Sequence, residues 1–468
     1  RQGCPLILGK GIGENFLASD VLALRAVTDR FIYLEEGDLV DLRPDSIDIW
    51  NIDDASVIRA DVRVEMEADD MERGNYRHFM QKEMFQQPEV VKRVLEGRVG
   101  KDRVLDGALG EGSQDLLRQV ESVTIVACGT SYLAGSVARY WIEELAGLPC
   151  QVEIASEYRY RNPATQKNSL FITISQSGET ADTLAALKLA KESDFLATLT
   201  LCNVPTSATV RQSDIAMMLN AGTEVGVAST KAFVAQTTAL LLVTLLLARR
   251  RGLKAGLEEE IVQQLHRLPE TIAELLKLDD PIAELAEVFA DKEHALYLGR
   301  GSFYPIAMEG ALKLKELSYI HAEGYAAGEL KHGPLALVDE SMPVVALAPN
   351  DELLEKRTVI TYNEDVAATQ RRRLDEILVD WIWSVEDSVI HPPELTAIQL
   401  KEYDFLAGTF GKYVLQCLLS GHPVLRKLAV QAVDHHLPEM VAQTGTKLMF
   451  RATVFLAYVT SSSAAPSM

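Results

Sequence analysis

Between Glu309 and Pro334 the chain reads EGALKLKELSYIHAEGYAAGELKHGP, dense in carboxylates and lysines and carrying two histidines. At 100° per residue, Glu309, Lys313 and Glu316 fall within about 60° of one another on one helical face, and Lys315 points well away. A carboxylate beside a lysine suits proton abstraction next to a carbonyl. The carboxylate takes the proton and the ammonium steadies the developing enolate. Such a stripe can equally be solvated i,i+4 pairing, worth about 0.2–0.5 kcal/mol per pair. Its place, one helix beyond a strand-end loop, favours chemistry. His332 follows in ELKHGP, where Gly333-Pro334 stops the helix and leaves the imidazole at its end, placed for acid/base work. His321 earns no such role.

Two other stretches could hold an anion. Cys128-Gly129-Thr130-Ser131 and Ser175-Gln176-Ser177-Gly178-Glu179-Thr180 each follow an apolar strand and lead into a helix. Free backbone N–H groups at a helix N-terminus, with several hydroxyl donors, form a phosphate cradle that needs no lysine. Ser and Thr also simply cap helices. Two such loops in one sheet favour the cradle.

These loops need elements to place them. SVTIVACGTS runs into the helix YLAGSVARYWIEELAG, and NSLFITISQSGET into ADTLAALKLAKES; HALYLGRGS then leads to YPIAMEGALKLKEL, and MPVVALAPN adds a strand. Strand, loop and helix in repetition predict parallel sheets with helices on both faces. Because the two blocks resemble each other, the fold class is α/β: two tandem doubly wound domains, with ligands at the carboxyl ends of the strands. Residues 1 to about 65 read as β-rich. RFIYLEEGDLVDL carries a hairpin turn at EEGD and SIDIWNID alternates as a half-buried strand. The polar stretch from about Asp69 to Gly112 reads as a connector with helical segments. From Arg357 onward the sequence looks helical without the strand–loop–helix repeat, and SSSAAPSM at the end reads as disordered.

The 468 residues suggest about three domains, and 46 basic against 67 acidic residues give a net charge of −21. That balance argues against general nucleic-acid binding and requires a local positive potential wherever an anion binds. Five scattered cysteines (Cys4, Cys128, Cys150, Cys202, Cys417), with no CxxC pair, indicate neither a zinc site nor a disulfide framework and suit a reducing cytoplasm. The apolar run ALLLVTLLLA is too short to span a bilayer, so a buried helix ending at Arg249–Arg251 is expected, and no membrane association. No metal or cofactor is expected.

Several stretches together resemble one family. ACGTSYLAG, EIASEYRYR, SLFITISQSGETADTLAALKLAKE, LCNVP, GVASTKAF, YPIAMEGALKLKELSYIHAE and AAGELKHGPLALVD are similar to the glutamine–fructose-6-phosphate aminotransferases (isomerizing). ENFLASDVLAL and YRHFMQKEMFQQP resemble the end of that family's glutaminase domain and its linker. The resemblance implies a glutaminase remnant over 1–68, a linker over 69–115, sugar-isomerase (SIS) domains over 116–255 and 285–356, and a non-matching segment over 357–468. It implies an enzyme that joins glutamine-derived ammonia to fructose 6-phosphate and isomerizes the product to glucosamine 6-phosphate for amino-sugar synthesis. Thr130, Ser131, Ser175, Gln176, Ser177 and Thr180 would hold the sugar phosphate, with Cys128 and Gly129 in the same loop. Gly226–Thr230, with Val227, Ala228 and Ser229, would line the sugar pocket. Glu316 would move a proton between C1 and C2, Lys313 would sit at the sugar oxygens and Glu309 alongside. His332 would assist ring opening from the adjoining subunit of a homodimer.

The chain departs from the family at both ends. It starts at Arg1, inside the glutaminase-like region, so the family's N-terminal cysteine nucleophile is not expected here; Cys4 falls at an interior strand position and does not replace it. After Lys356 neither further α/β structure nor the family's Schiff-base lysine is found, as a frame change or a fusion would give. Two other readings stay open at this point: a phosphosugar isomerase that uses no ammonia, and a sugar-phosphate-sensing SIS regulator. A regulator would usually carry a DNA-binding element and could lack the Glu316/His332 pair, which is present here.

Overall fold

The computed structural model describes residues 6–63 and 72–347, apart from 20, 25 and 340. The helical and disordered readings of 357–468 lie outside the described residues, as do Cys4 and Cys417.

The N-terminal part is β-rich, as expected: β1 (Ile7–Lys10), β2 (Asn15–Ala18), β3 (Arg30–Tyr33), β4 (Leu39–Leu42), β5 (Ile47–Trp50) and β6 (Asp61–Arg63). The order β2-β1-β3-β6 forms one antiparallel sheet, and β4 and β5 form a separate ribbon. The hairpin expected across EEGD therefore does not form, because β3 and β4 belong to different sheets. The turn is anchored sideways instead. The Asp38 carboxylate accepts the Glu35 N–H at 2.7 Å and two Arg59 N–H groups at 2.9 and 2.7 Å. Leu8, Ile32, Leu34 and Ile49 share one core, so the two sheets meet face to face, which buries more apolar surface than edge pairing would. Tyr33 joins this part to the rest through a 2.8 Å hydroxyl contact with Thr206.

The first α/β unit begins with α1 (Phe79–Phe85), α2 (Gln87–Leu95) and α3 (Ser113–Gln119). It continues with β7 (Ser122–Ala127), α4 (Gly129–Ala146), β8 (Cys150–Ile154), α5 (Ala155–Tyr158), β9 (Ser169–Ser175), α6 (Ala181–Lys191), β10 (Ala197–Cys202), α7 (Ala208–Gln212) and β11 (Ile215–Met218). Three helices follow: α8 (Lys231–Arg249), α9 (Leu257–Leu276) and α10 (Asp279–Leu285). The strands form one fully parallel sheet, β11-β10-β9-β7-β8. β7, β9 and β10 are buried along their whole length, which is why they read as continuous apolar runs rather than alternating ones. Strand order reverses between β7 and β9. The loops after these strands, Cys128–Ser131 and Ser175–Thr180, thus flank the crevice where doubly wound sheets bind ligands.

The apolar run at 239–248 lies inside a longer helix than expected. α8 has 19 residues and is long and apolar enough to cross a membrane, but it is wholly buried inside the protein. It is a core helix, packed between α4 and α2. The polar segment read as a connector is also part of this core, with Val90, Val91 and Val94 fully buried.

The second unit contains β12 (His294–Gly299), α11 (Phe303–Ser318), β13 (His321–Ala326) and β14 (Val344–Ala346), in the parallel order β13-β12-β14. The charged stretch from Glu309 to Pro334 is not one helix running to a stop at Gly333-Pro334. α11 stops where Tyr319 takes the left-handed conformation (φ 61°), and β13 and a 3-10 turn over Ala327–His332 follow. The polar sequence of β13 hides a strand that pairs with β12 along its full length.

Candidate active site

Helix α11 places its charges as the helical wheel predicts. Lys313 Nζ lies 2.8 Å from Glu316 Oε2 and 3.4 Å from Glu309 Oε1. Lys315 is exposed. The three groups differ sharply in burial: the side chains of Glu309 and Lys313 are 0% and 1% exposed, and that of Glu316 is 32% exposed. A surface stripe would not bury two of its three charges, so the solvated-pairing reading does not hold here. Burial pushes the Glu309 carboxyl up to about 6, against the pull of Lys313 and of the Thr130 hydroxyl. Burial works to lower the Lys313 ammonium, but the two carboxylates prevail and hold it above the usual lysine range. Lys313 is thus a fixed cation, and Glu316 is the carboxylate of the group that a ligand can reach.

Thr130 connects this cluster to the first unit. Its hydroxyl donates to Glu309 Oε1 at 2.9 Å and accepts from Lys313 Nζ at 3.2 Å. α11 packs against α4, which begins at Gly129, so the contact joins the two units at the start of a helix. The next residue, Ser131, accepts a hydrogen bond from Gln236 on α8 at 3.0 Å and faces the crevice.

That crevice is a cavity of about 260 Å³. Cys128 and Ser131 line it from the first loop, and Ser175, Gln176, Ser177 and Thr180 from the second. Neither Cys128 nor Thr180, the residues before α4 and α6, forms a side-chain cap on its helix. The first-turn amides therefore stay available to an anion, which favours a cradle over simple capping. Ser175 and Ser177 shape their own loop, accepting the Gly178 and Glu179 N–H groups at 2.9 and 3.2 Å.

The GVAST segment forms a third wall. Val227 is fully exposed at the rim, and the Ser229 hydroxyl donates to Glu224 at 2.8 Å. Ala228, expected in the pocket, is instead 2% exposed and packs into the core. Gly226, the expected start of this segment, lines the cavity, and so do Glu224 and Thr183, which sequence reading missed. Glu224 lies two residues before the GVAST match and could have been found there; Thr183, one turn into α6, carried no signal.

His332 ends its 3-10 turn in an exposed position, and the contacts that join Thr130, Glu309, Lys313 and Glu316 do not include it. The 3-10 turn is held by Leu330, buried against Leu296, Leu298 and Val344.

The SIS domain family matches residues 116–246 and 288–365. The glutamine–fructose-6-phosphate aminotransferase (isomerizing) of Pseudomonas putida is 60% identical over 357 residues, 76% of this chain and 58% of that protein. The Escherichia coli protein of the same name is 57% identical over 356 residues. The chain thus spans a little over half the length of these curated relatives. The solved C-terminal domain of glucosamine-fructose-6-phosphate aminotransferase from Francisella tularensis is 48% identical, with a TM-score of 0.60, and the match covers 62% of this chain and 81% of that one. With its parallel sheets, its hydroxyl-lined crevice and these matches, the chain belongs to the glutamine–fructose-6-phosphate aminotransferase (isomerizing) family.

Proposed function

We propose that the described part of this chain binds fructose 6-phosphate and moves a proton between its C1 and C2, the isomerase half of glucosamine 6-phosphate formation. One observation supports this reading: Ser131 lines the hydroxyl-rich cavity, and its chain neighbour Thr130 accepts a hydrogen bond from Lys313, which pairs with Glu316. The phosphate sits against the amides and hydroxyls of the 128–131 and 175–180 loops, and the sugar extends past the 224–229 wall. Ammonia adds to the C2 carbonyl and water leaves, giving an imine. Glu316 takes a proton from C1 and returns it to C2 while the O1 hydroxyl proton passes to the imine nitrogen, leaving an aldehyde at C1 and an amine at C2. Without ammonia the same transfer converts ketose to aldose. Lys313 neutralises charge that builds on the sugar oxygens during the transfer, and burial makes it effective there. His332 serves ring opening from a second copy of the chain. The free Cys128, Cys150 and Cys202 suit a reducing cytoplasm.

The test incubates the protein with fructose 6-phosphate, with and without ammonia, and follows glucose 6-phosphate and glucosamine 6-phosphate. Glu316→Gln should slow either reaction by about 10²–10⁴-fold, the usual cost of a lost general base. Calorimetric affinity for fructose 6-phosphate should stay close to that of the unaltered chain. Turnover that survives this substitution would place the base elsewhere.

A further inference from the structure

The wall formed by residues 224–229 is held from outside the sheet. Glu83, on α1, is 2% exposed and lies 142 residues earlier in the chain than the segment it touches. Its Oε1 accepts the backbone N–H of Val225, and both of its oxygens accept that of Gly226, at 3.0 and 3.3 Å. The approach is close: a Cβ on Gly226 would lie 2.5 Å from Glu83 Oε2, so the carboxylate would have to shift to admit one. The other side of the wall is held by Glu224, which accepts the Ser229 hydroxyl and the N–H groups of Thr230 and Ala232 at 2.8, 2.9 and 3.2 Å. Lys231, 1% exposed, donates to Gln86 beside α1 at 2.8 Å.

Such an arrangement is costly. Burial pushes the Glu83 carboxyl up to about 7, two backbone N–H groups and Lys231 oppose that shift, and the neighbouring Glu224 adds to it. A leucine would fill the same space without desolvating a carboxylate. What a leucine cannot do is grip two successive amides in a segment that belongs to no helix or strand. The residues gripped, Val225 and Gly226, lead directly to Val227 and Ser229 on the cavity surface.

We propose that Glu83 is a positioning residue for the sugar end of the cavity, a buried clamp that sets the 224–229 wall from the helix preceding the first α/β unit. The proposal rests on the reading of the cavity as a sugar-phosphate site. Among the described residues the hydrogen bonds of Glu83 go to Val225 and Gly226 and not to the 128–131 and 175–180 loops of the phosphate end, so the two ends of the ligand should respond differently to its loss.

The experiment compares the unaltered chain with Glu83→Ala and Glu83→Gln. It measures calorimetric affinity for fructose 6-phosphate and for inorganic phosphate, and amide hydrogen exchange at Val225 and Gly226 without ligand. Glu83→Ala should weaken fructose 6-phosphate by about 10-fold or more, the scale of a lost hydrogen bond to a charged group, and leave inorganic phosphate within about twofold. Exchange at the two amides should accelerate. Glu83→Gln, which keeps an acceptor oxygen and the side-chain volume, should fall between the two proteins and guards against a misfolded Ala variant. Equal losses for both ligands, or unchanged exchange in Glu83→Gln, would overturn the clamp. Should the unaltered chain bind phosphate but not fructose 6-phosphate, the sugar reading fails by itself, and the exchange rates still decide on Glu83.

Discussion

Lys313 is the point where the chemistry of the site meets its cost. Its ammonium is withdrawn from water and made tolerable by two carboxylates and one hydroxyl, and only Glu316 keeps contact with solvent. Glu309 bears the other side of that arrangement, since its Oε2 has no hydrogen-bond partner among the described residues. Its carboxyl rises from 4.5 to about 6, so the folded protein holds this proton more tightly than the unfolded chain does. The sign follows directly. The stabilisation from that proton is fully present below about pH 4.5 and is lost as pH rises through about 6. Glu309→Gln carries no such proton, so the variant should gain on the unaltered chain by up to about 2 kcal/mol between roughly pH 4 and 7. Urea unfolding of both proteins across that range measures it. A difference that stays flat with pH would mean that Glu309 holds its proton no more tightly in the folded protein than in the unfolded chain.

At the scale of elements, α11 is useful only if it lies close to its sheet. Gly324 on β13 sets that distance, because a Cβ there would fall 2.7 Å from the Met308 Cα. Backbone cannot give way as a flexible side chain can. Gly324→Ala should therefore cost about 1–3 kcal/mol of stability, the usual range for overpacking. It should also lower turnover more than phosphate binding, since it displaces the helix that carries Lys313 and Glu316 and not the loops. Unfolding curves with the two activity readouts check this, and a fully active variant would show that α11 tolerates the shift. The same elements show what a sequence can reveal. The stripe on α11 was legible because 3.6-residue periodicity is local, and the two loops because strand, hydroxyls and helix are contiguous. β13 was not, since its polar residues are paid no attention by an apolar-run search and its strand state comes from pairing with β12. The supposed hairpin at EEGD failed for a related reason: whether neighbouring strands pair or stack depends on Arg59 and on cores shared with distant residues. Glu83 was illegible on the same grounds, its partners lying far along the chain.

For the whole molecule, the proposed reading requires an acidic chain of net charge −21 to attract a phosphorylated sugar against its overall field. Helix N-termini and a buried lysine supply the potential locally, which leaves the surface field unchanged. The placement of His332 bears on how many chains make one site. It is exposed and does not join the cluster on α11 within its own chain. If a second copy supplies the imidazole, defects in Glu316 and His332 belong to different subunits of one site. Glu316→Gln and His332→Ala should each be nearly inactive as separate homodimers. Mixed after reversible dissociation, half of the dimers are hybrids, and each hybrid holds one site with both residues intact and one with neither. Activity should then recover to about a quarter of that of the unaltered protein. If His332 acted within its own chain, every site would keep its own defect, and the mixture would show only the average of the two variants.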